Sequence, residues 1–86
     1  MEFFIMDIES IVLSALENIT GLPADELKEN MSMDLKENDI LDSVSCASLA
    51  VELEDNIGKK FKADAMEMED FRTVEAIISA VNRIMA

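Results

Sequence analysis

Ile40-Leu41-Asp42-Ser43-Val44-Ser45-Cys46-Ala47-Ser48-Leu49-Ala50-Val51-Glu52-Leu53-Glu54 is the stretch on which the fold turns. Within it Cys46, Leu49, Ala50 and Leu53, joined further on by Ile57, recur at three- and four-residue spacing, while Glu52, Glu54 and Asp55 fill the later turns. That period predicts an amphipathic helix opening at Asp42 or Ser43 and stopped by Gly58. Two readings of Ser43 stand side by side. Its hydroxyl can cap the helix by accepting a hydrogen bond from an otherwise unpaired backbone N–H. It can equally carry a phosphate-linked group, whose charge the positive end of the helix dipole would accommodate. Asp42 is likewise either a second cap candidate or a carboxylate that helps an incoming enzyme place a metal ion beside the serine hydroxyl.

Working outward, Ile8, Ile11, Val12, Ala15, Leu16 and Ile19 mark an amphipathic helix from about Phe4 to Ile19, with Asp7, Glu9, Ser10, Ser14, Glu17 and Asn18 on its other face. Gly21 suits the left-handed residue that closes a helix, and Pro23 prevents its resumption, so the helix ends near Thr20. Leu22 to Leu41 carries no sustained period. A connection of that length is either functional in itself or holds a short helix around Asp25 to Asn30, with Met31, Met33, Leu35 and Ile40 pinning it to the core. Past Gly58, the acidic stretch Asp64 to Asp70 is read as a short helix. Thr73 then caps a last helix carrying Val74, Ile77, Ile78, Val81, Ile84 and Met85. No period-two alternation and no internal repeat occur. The expected fold is all-α: a small four-helix bundle of three principal helices plus a short one, with a long loop between the first and second principal helices, in a single domain over residues 1–86.

The chain has 86 residues, 7 Lys+Arg against 19 Asp+Glu, and a net charge of −12. Such a surface repels nucleic-acid phosphates and anionic headgroups, so partners should present basic surfaces, and a soluble monomer is expected. At 50% hydrophobic residues the chain is too apolar for an acidic disordered tail. The single cysteine, Cys46, lies on the apolar stripe and reads as a small buried hydrophobe; with no histidine present it makes neither an internal disulfide nor a metal site. The start, Met1 to Asp7, is too short and lacks the basic flank of a secretory or membrane-spanning segment, so a cytoplasmic location is expected.

Independent catalysis is not expected. The usual base for activating a serine or cysteine is missing, and no lysine or carboxylate constellation replaces it. A calcium loop at Asp34-x-Lys36-x-Asn38 fails at Lys36 and at Ile40, where glycine would be needed. The only glycines, Gly21 and Gly58, build no phosphate-cradling loop.

The ordered series of first helix, Thr20-Gly21-Leu22-Pro23 break, Asp34-Leu35 in the long loop, Asp42-Ser43, an acidic helix closed by Ile57-Gly58 and a final helix opened by Thr73-Val74 resembles the acyl carrier protein family over essentially the whole chain. The resemblance implies a 4′-phosphopantetheine arm on Ser43, with Asp42 as the aspartate preceding the modified serine and Val44 as the apolar position flanking it. It further implies that Glu52, Glu54 and Asp55 lie on the partner-docking helix. Ser45 and Ser48 stand where many fatty-acid carriers have acids, which points away from a housekeeping fatty-acid role. Ile40-Leu41-Asp42-Ser43, with six residues between Leu35 and Asp42, together with Phe71-Arg72-Thr73-Val74 in place of a Trp-x-Thr-Pro motif, is similar to the D-alanyl carrier subgroup and related stand-alone aminoacyl carriers.

A carrier of this kind would hold acyl or aminoacyl groups as thioesters on the arm. Its partners would be a phosphopantetheinyl transferase, an acyl or aminoacyl ligase and downstream transferases, in aminoacyl, fatty-acid or polyketide biosynthesis, with no nucleic acid and no stable membrane insertion. The competing reading is an unmodified acidic helical interaction module, in which Asp42-Ser43 is a cap and nothing more.

Overall fold

In the computed structural model, which describes residues 7–58, 60 and 68–85, the chain is all-helical. Helix α1 (Ile8–Thr20) starts where Asp7 Oδ1 accepts the Ser10 backbone N–H at 3.3 Å. It ends where Gly21, at φ 78°, turns left-handed and donates its N–H to the Glu17 carbonyl at 2.9 Å. The part of the expected first helix that precedes Asp7 lies outside the described residues. Pro23 then opens a short helix α2 (Ala24–Glu29), so the long connection does contain the short helix expected around Asp25 to Asn30. Helix α3 (Ser43–Ile57) closes on Gly58, again left-handed at φ 78°. A 3₁₀ turn (Met68–Phe71) leads into α4 (Val74–Met85), whose first turn is capped by Thr73 Oγ1 accepting the Ala76 N–H at 3.0 Å. The acidic stretch expected to be helical is thus a 3₁₀ turn in its last residues, and Asp64 to Glu67 lie outside the described residues.

Helix α1 is the common neighbour, packing against α2, α3 and α4. Val12, Ala15 and Leu16 from α1, Leu49 and Leu53 from α3, and Val74, Ile77 and Val81 from α4 are all fully buried. Each large apolar side chain there contributes about 1.5–3 kcal/mol by leaving water. Four α1 positions depart from the uniformly buried stripe expected from spacing. Leu13 is buried, because α1 is enclosed on more than one side, while Ile8, Ile11 and Ile19 are half-buried at its margin. No polar or charged side chain is buried among the described residues, and no described helix is long and apolar enough to cross a membrane.

The connection between α2 and α3 is fastened by backbone bonds. Leu35, fully buried, donates its N–H to the Arg72 carbonyl at 2.7 Å, and its own carbonyl accepts the N–H groups of Ile40 and Leu41 at 2.8 and 3.1 Å. Asp39, at φ 58°, makes the tight turn that permits this return. Met31, Met33 and Ile40 pack against the core beside Leu35, as their isolated apolar character in a polar segment predicts. The effect is to bind the chain just before Ser43 to the chain just before α4.

Candidate functional site

Asp42, not Ser43, is the N-cap of α3: its Oδ1 accepts the Ser45 N–H at 2.8 Å, and its carbonyl accepts the Cys46 N–H at 2.9 Å. The Ser45 backbone N–H, and after it the Ser45 side chain, hold the Asp42 carboxyl below the usual carboxylate range. Ser43 is therefore the first helical residue. It is exposed, and no described residue hydrogen-bonds to its hydroxyl. Of the two readings open from sequence, the capping role falls to its neighbour, and the serine oxygen is left facing solvent.

The surroundings suit an added anion. The first turns of α1, α2 and α4 each carry an acidic residue, whereas that of α3 carries none. A phosphodiester on Ser43 would meet the positive end of a fifteen-residue helix with Asp42 as the nearest like charge in sequence. Among the described residues no group of three or more Cys, Asp or Glu is disposed to hold a metal ion.

Outward from Ser43, α3 presents an unusual face. Val44 is 75% exposed and Val51, about two turns on, is 56% exposed, and these are the large exposed hydrophobics among the described residues. Ser48 and Asp55 share that face. Glu52 is half-buried at its edge and accepts Asn18 Nδ2 at 2.9 Å, tying α3 to α1, while Glu54 is half-buried and Asp55 exposed. Cys46 is buried at 5% exposure, as expected; burial, and after it the Asp42 charge, push its thiol up from the usual range, so it is a packing group.

Beside the start of α3 lies a cavity of about 420 Å³. Leu41, Cys46 and Phe71 supply its apolar floor, and Lys36, Glu37 and the Asp34–Arg72–Glu69 cluster its charged rim. Arg72 Nε lies 2.8 Å from Asp34 Oδ2 and its Nη1 3.2 Å from Glu69 Oε1, so one guanidinium clasps the loop to the 3₁₀ turn. The Arg72 side chain, ahead of the Glu37 backbone N–H that also reaches Asp34 Oδ1, holds the Asp34 carboxyl below the usual range. Spacing did not reveal this clasp, because Asp34 and Arg72 stand far apart in sequence; the only trace was that Asp34-Leu35 and Phe71-Arg72-Thr73 both belonged to the motif series.

Comparison with known proteins decides the family. The chain is 34% identical over 79 residues to the D-alanyl carrier protein of Enterococcus faecalis, covering 92% of this chain and 99% of that one. It is 36% identical over 70 residues to the D-alanyl carrier protein of Lactococcus lactis subsp. cremoris, covering 81% of this chain and 86% of that one. This chain belongs to the D-alanyl carrier protein family. D-alanyl carrier protein 2 of Lactiplantibacillus plantarum is a further relative, at 29% identity over 87% of this chain and 90% of its own. No protein-family model matches, and no solved structure gives a significant match. Membership in the D-alanyl carrier family agrees with the all-helical fold and with the subgroup resemblance of Ile40 to Ser43 and Phe71 to Val74.

Proposed function

We propose that the protein is a non-catalytic carrier that bears a 4′-phosphopantetheine arm on Ser43 and presents an aminoacyl group, D-alanine by analogy with its relatives, to partner enzymes in the cytoplasm. The observation that carries this is the division of labour at the head of α3: Asp42 makes the cap hydrogen bond, so the exposed Ser43 hydroxyl is free for attachment without loss of helix structure. The arm supplies a terminal thiol on which a thioester forms. The chain's own residues supply the rest. Ser43 Oγ offers the attachment oxygen, with the N-terminal end of α3 accepting the phosphodiester's charge. Val44 and Val51 offer an apolar contact strip, and Asp55 with Glu54 offers charge toward basic docking surfaces of a phosphopantetheinyl transferase, an aminoacyl ligase and a downstream transferase. Glu52 contributes to that edge through α3 while holding Asn18. Tethering raises the effective concentration of the cargo at each docked partner.

The test uses the arm-bearing protein, ATP, radiolabelled D-alanine and a D-alanine-activating ligase. Label that is released by hydroxylamine from the wild type and absent from Ser43→Ala is the expected result. Label persisting on Ser43→Ala, or none from any amino acid on the arm-bearing wild type, overturns the reading.

A further inference from the structure

The cavity beside α3 is not used by the attachment itself, and its chemistry is specific. Its floor residue Cys46 is one helical turn from Ser43, so an arm fixed at Ser43 can fold back and put its loaded end there. The rim argues against a long alkyl cargo. Five charged side chains surround an opening of about 420 Å³, and an aliphatic chain lying against them would strip water from ionised groups with no compensating bond. Of those five, Arg72 is already matched by Asp34 and Glu69. Lys36 and Glu37, adjacent in sequence, have no ion-pair partner among the described residues. Among the described residues the site thus offers one unmatched cation and one unmatched carboxylate around a small apolar floor. A loaded aminoacyl arm has the complementary pair: an anionic phosphodiester at its root and an ammonium at its tip.

We propose that this cavity is a resting site for the loaded end of the arm, selective for a small ammonium-bearing aminoacyl group, with Glu37 pairing with the ammonium and Lys36 with the phosphodiester. The inference rests on the carrier reading of Ser43. It makes the carrier itself, and not only its ligase, discriminate between aminoacyl and simple acyl cargo. Because Lys36 and Glu37 are exposed, the pairing is weak and salt-sensitive, which lets a docked partner withdraw the cargo.

The experiment loads Ser43 with arms ending in alanyl, propionyl or octanoyl groups through a stable amide in place of the thioester, confirms each by intact mass, and records backbone amide NMR spectra. Alanyl and propionyl differ only by the amino group. The alanyl arm is expected to shift the amide signals of Glu37, Leu41, Cys46 and Phe71 relative to the unloaded arm, and the propionyl and octanoyl arms to leave them near their unloaded positions. The alanyl shifts are expected to be lost in Glu37→Gln and at high salt, with the rest of the spectrum unchanged. Shifts of equal size from the propionyl or octanoyl arm, or none from the alanyl arm on a protein of confirmed mass, overturn the resting site and leave the carrier reading standing. Failure of any arm to attach at Ser43 overturns both.

Discussion

Asp42 and Ser43 are adjacent yet chemically separate: the first holds the helix start, the second is held by it. Asp42→Ala is expected to destabilise the fold and to fray the first turn of α3, read as weakened amide protection at Ser45, whereas Ser43→Ala leaves helicity and the unfolding midpoint nearly unchanged. Cys46→Ala, one turn on, is expected to leave loading at Ser43 intact, because the buried thiol is a packing group. The clasp residue Asp34 gives a pH test. Its folded-state pKa is depressed, chiefly by Arg72, so its contribution is present above the ordinary carboxylate pKa and is lost as pH falls through the lowered value. The stability gap between wild type and Asp34→Asn is therefore expected to be constant from pH 8 to 5 and to close below about pH 4 in urea titrations. A gap that persists in acid would remove the clasp from the account.

At the scale of elements, the cores and ends of the helices carry different kinds of stability. Leu53→Ala, at a fully buried position of α3, is expected to cost about 2–5 kcal/mol by urea unfolding. Gly58→Ala should cost about 1 kcal/mol, and there from backbone conformation alone, since φ is 78° and a Cβ would meet nothing within 4 Å. These same elements show what local pattern can and cannot reveal. The stripes of α1, α3 and α4 and the stops at Gly21 and Gly58 were legible because period and left-handed termini are written in neighbouring residues. The choice between Asp42 and Ser43 as cap was not, since both residue types cap well and one backbone torsion decides between them. Nor were the burial of Leu13, which depends on how many helices surround α1, and the Asp34–Arg72 clasp, which joins segments brought together only by Leu35 and the turn at Asp39. The serine was thus visible in the sequence, and the cavity next to it was not.

For the whole molecule, a net charge of −12 acts in opposite directions on stability and encounter. Salt screens self-repulsion, so the unfolding temperature of the free protein is expected to rise with added sodium chloride at neutral pH. The same salt weakens attraction to basic partners, so the KM of a transferase for this protein should rise over the same range while its kcat holds. A KM that stays flat or falls as salt is added would mean that charge is not what brings partners to α3. The central claim, however, is the arm on Ser43. It is tested most directly by the intact mass of the purified protein before and after incubation with coenzyme A, Mg²⁺ and a phosphopantetheinyl transferase, with Ser43→Ala alongside. A gain of one phosphopantetheinyl group by the wild type and none by Ser43→Ala is the predicted result; an unchanged mass for the folded wild type, or an equal gain by Ser43→Ala, would contradict it.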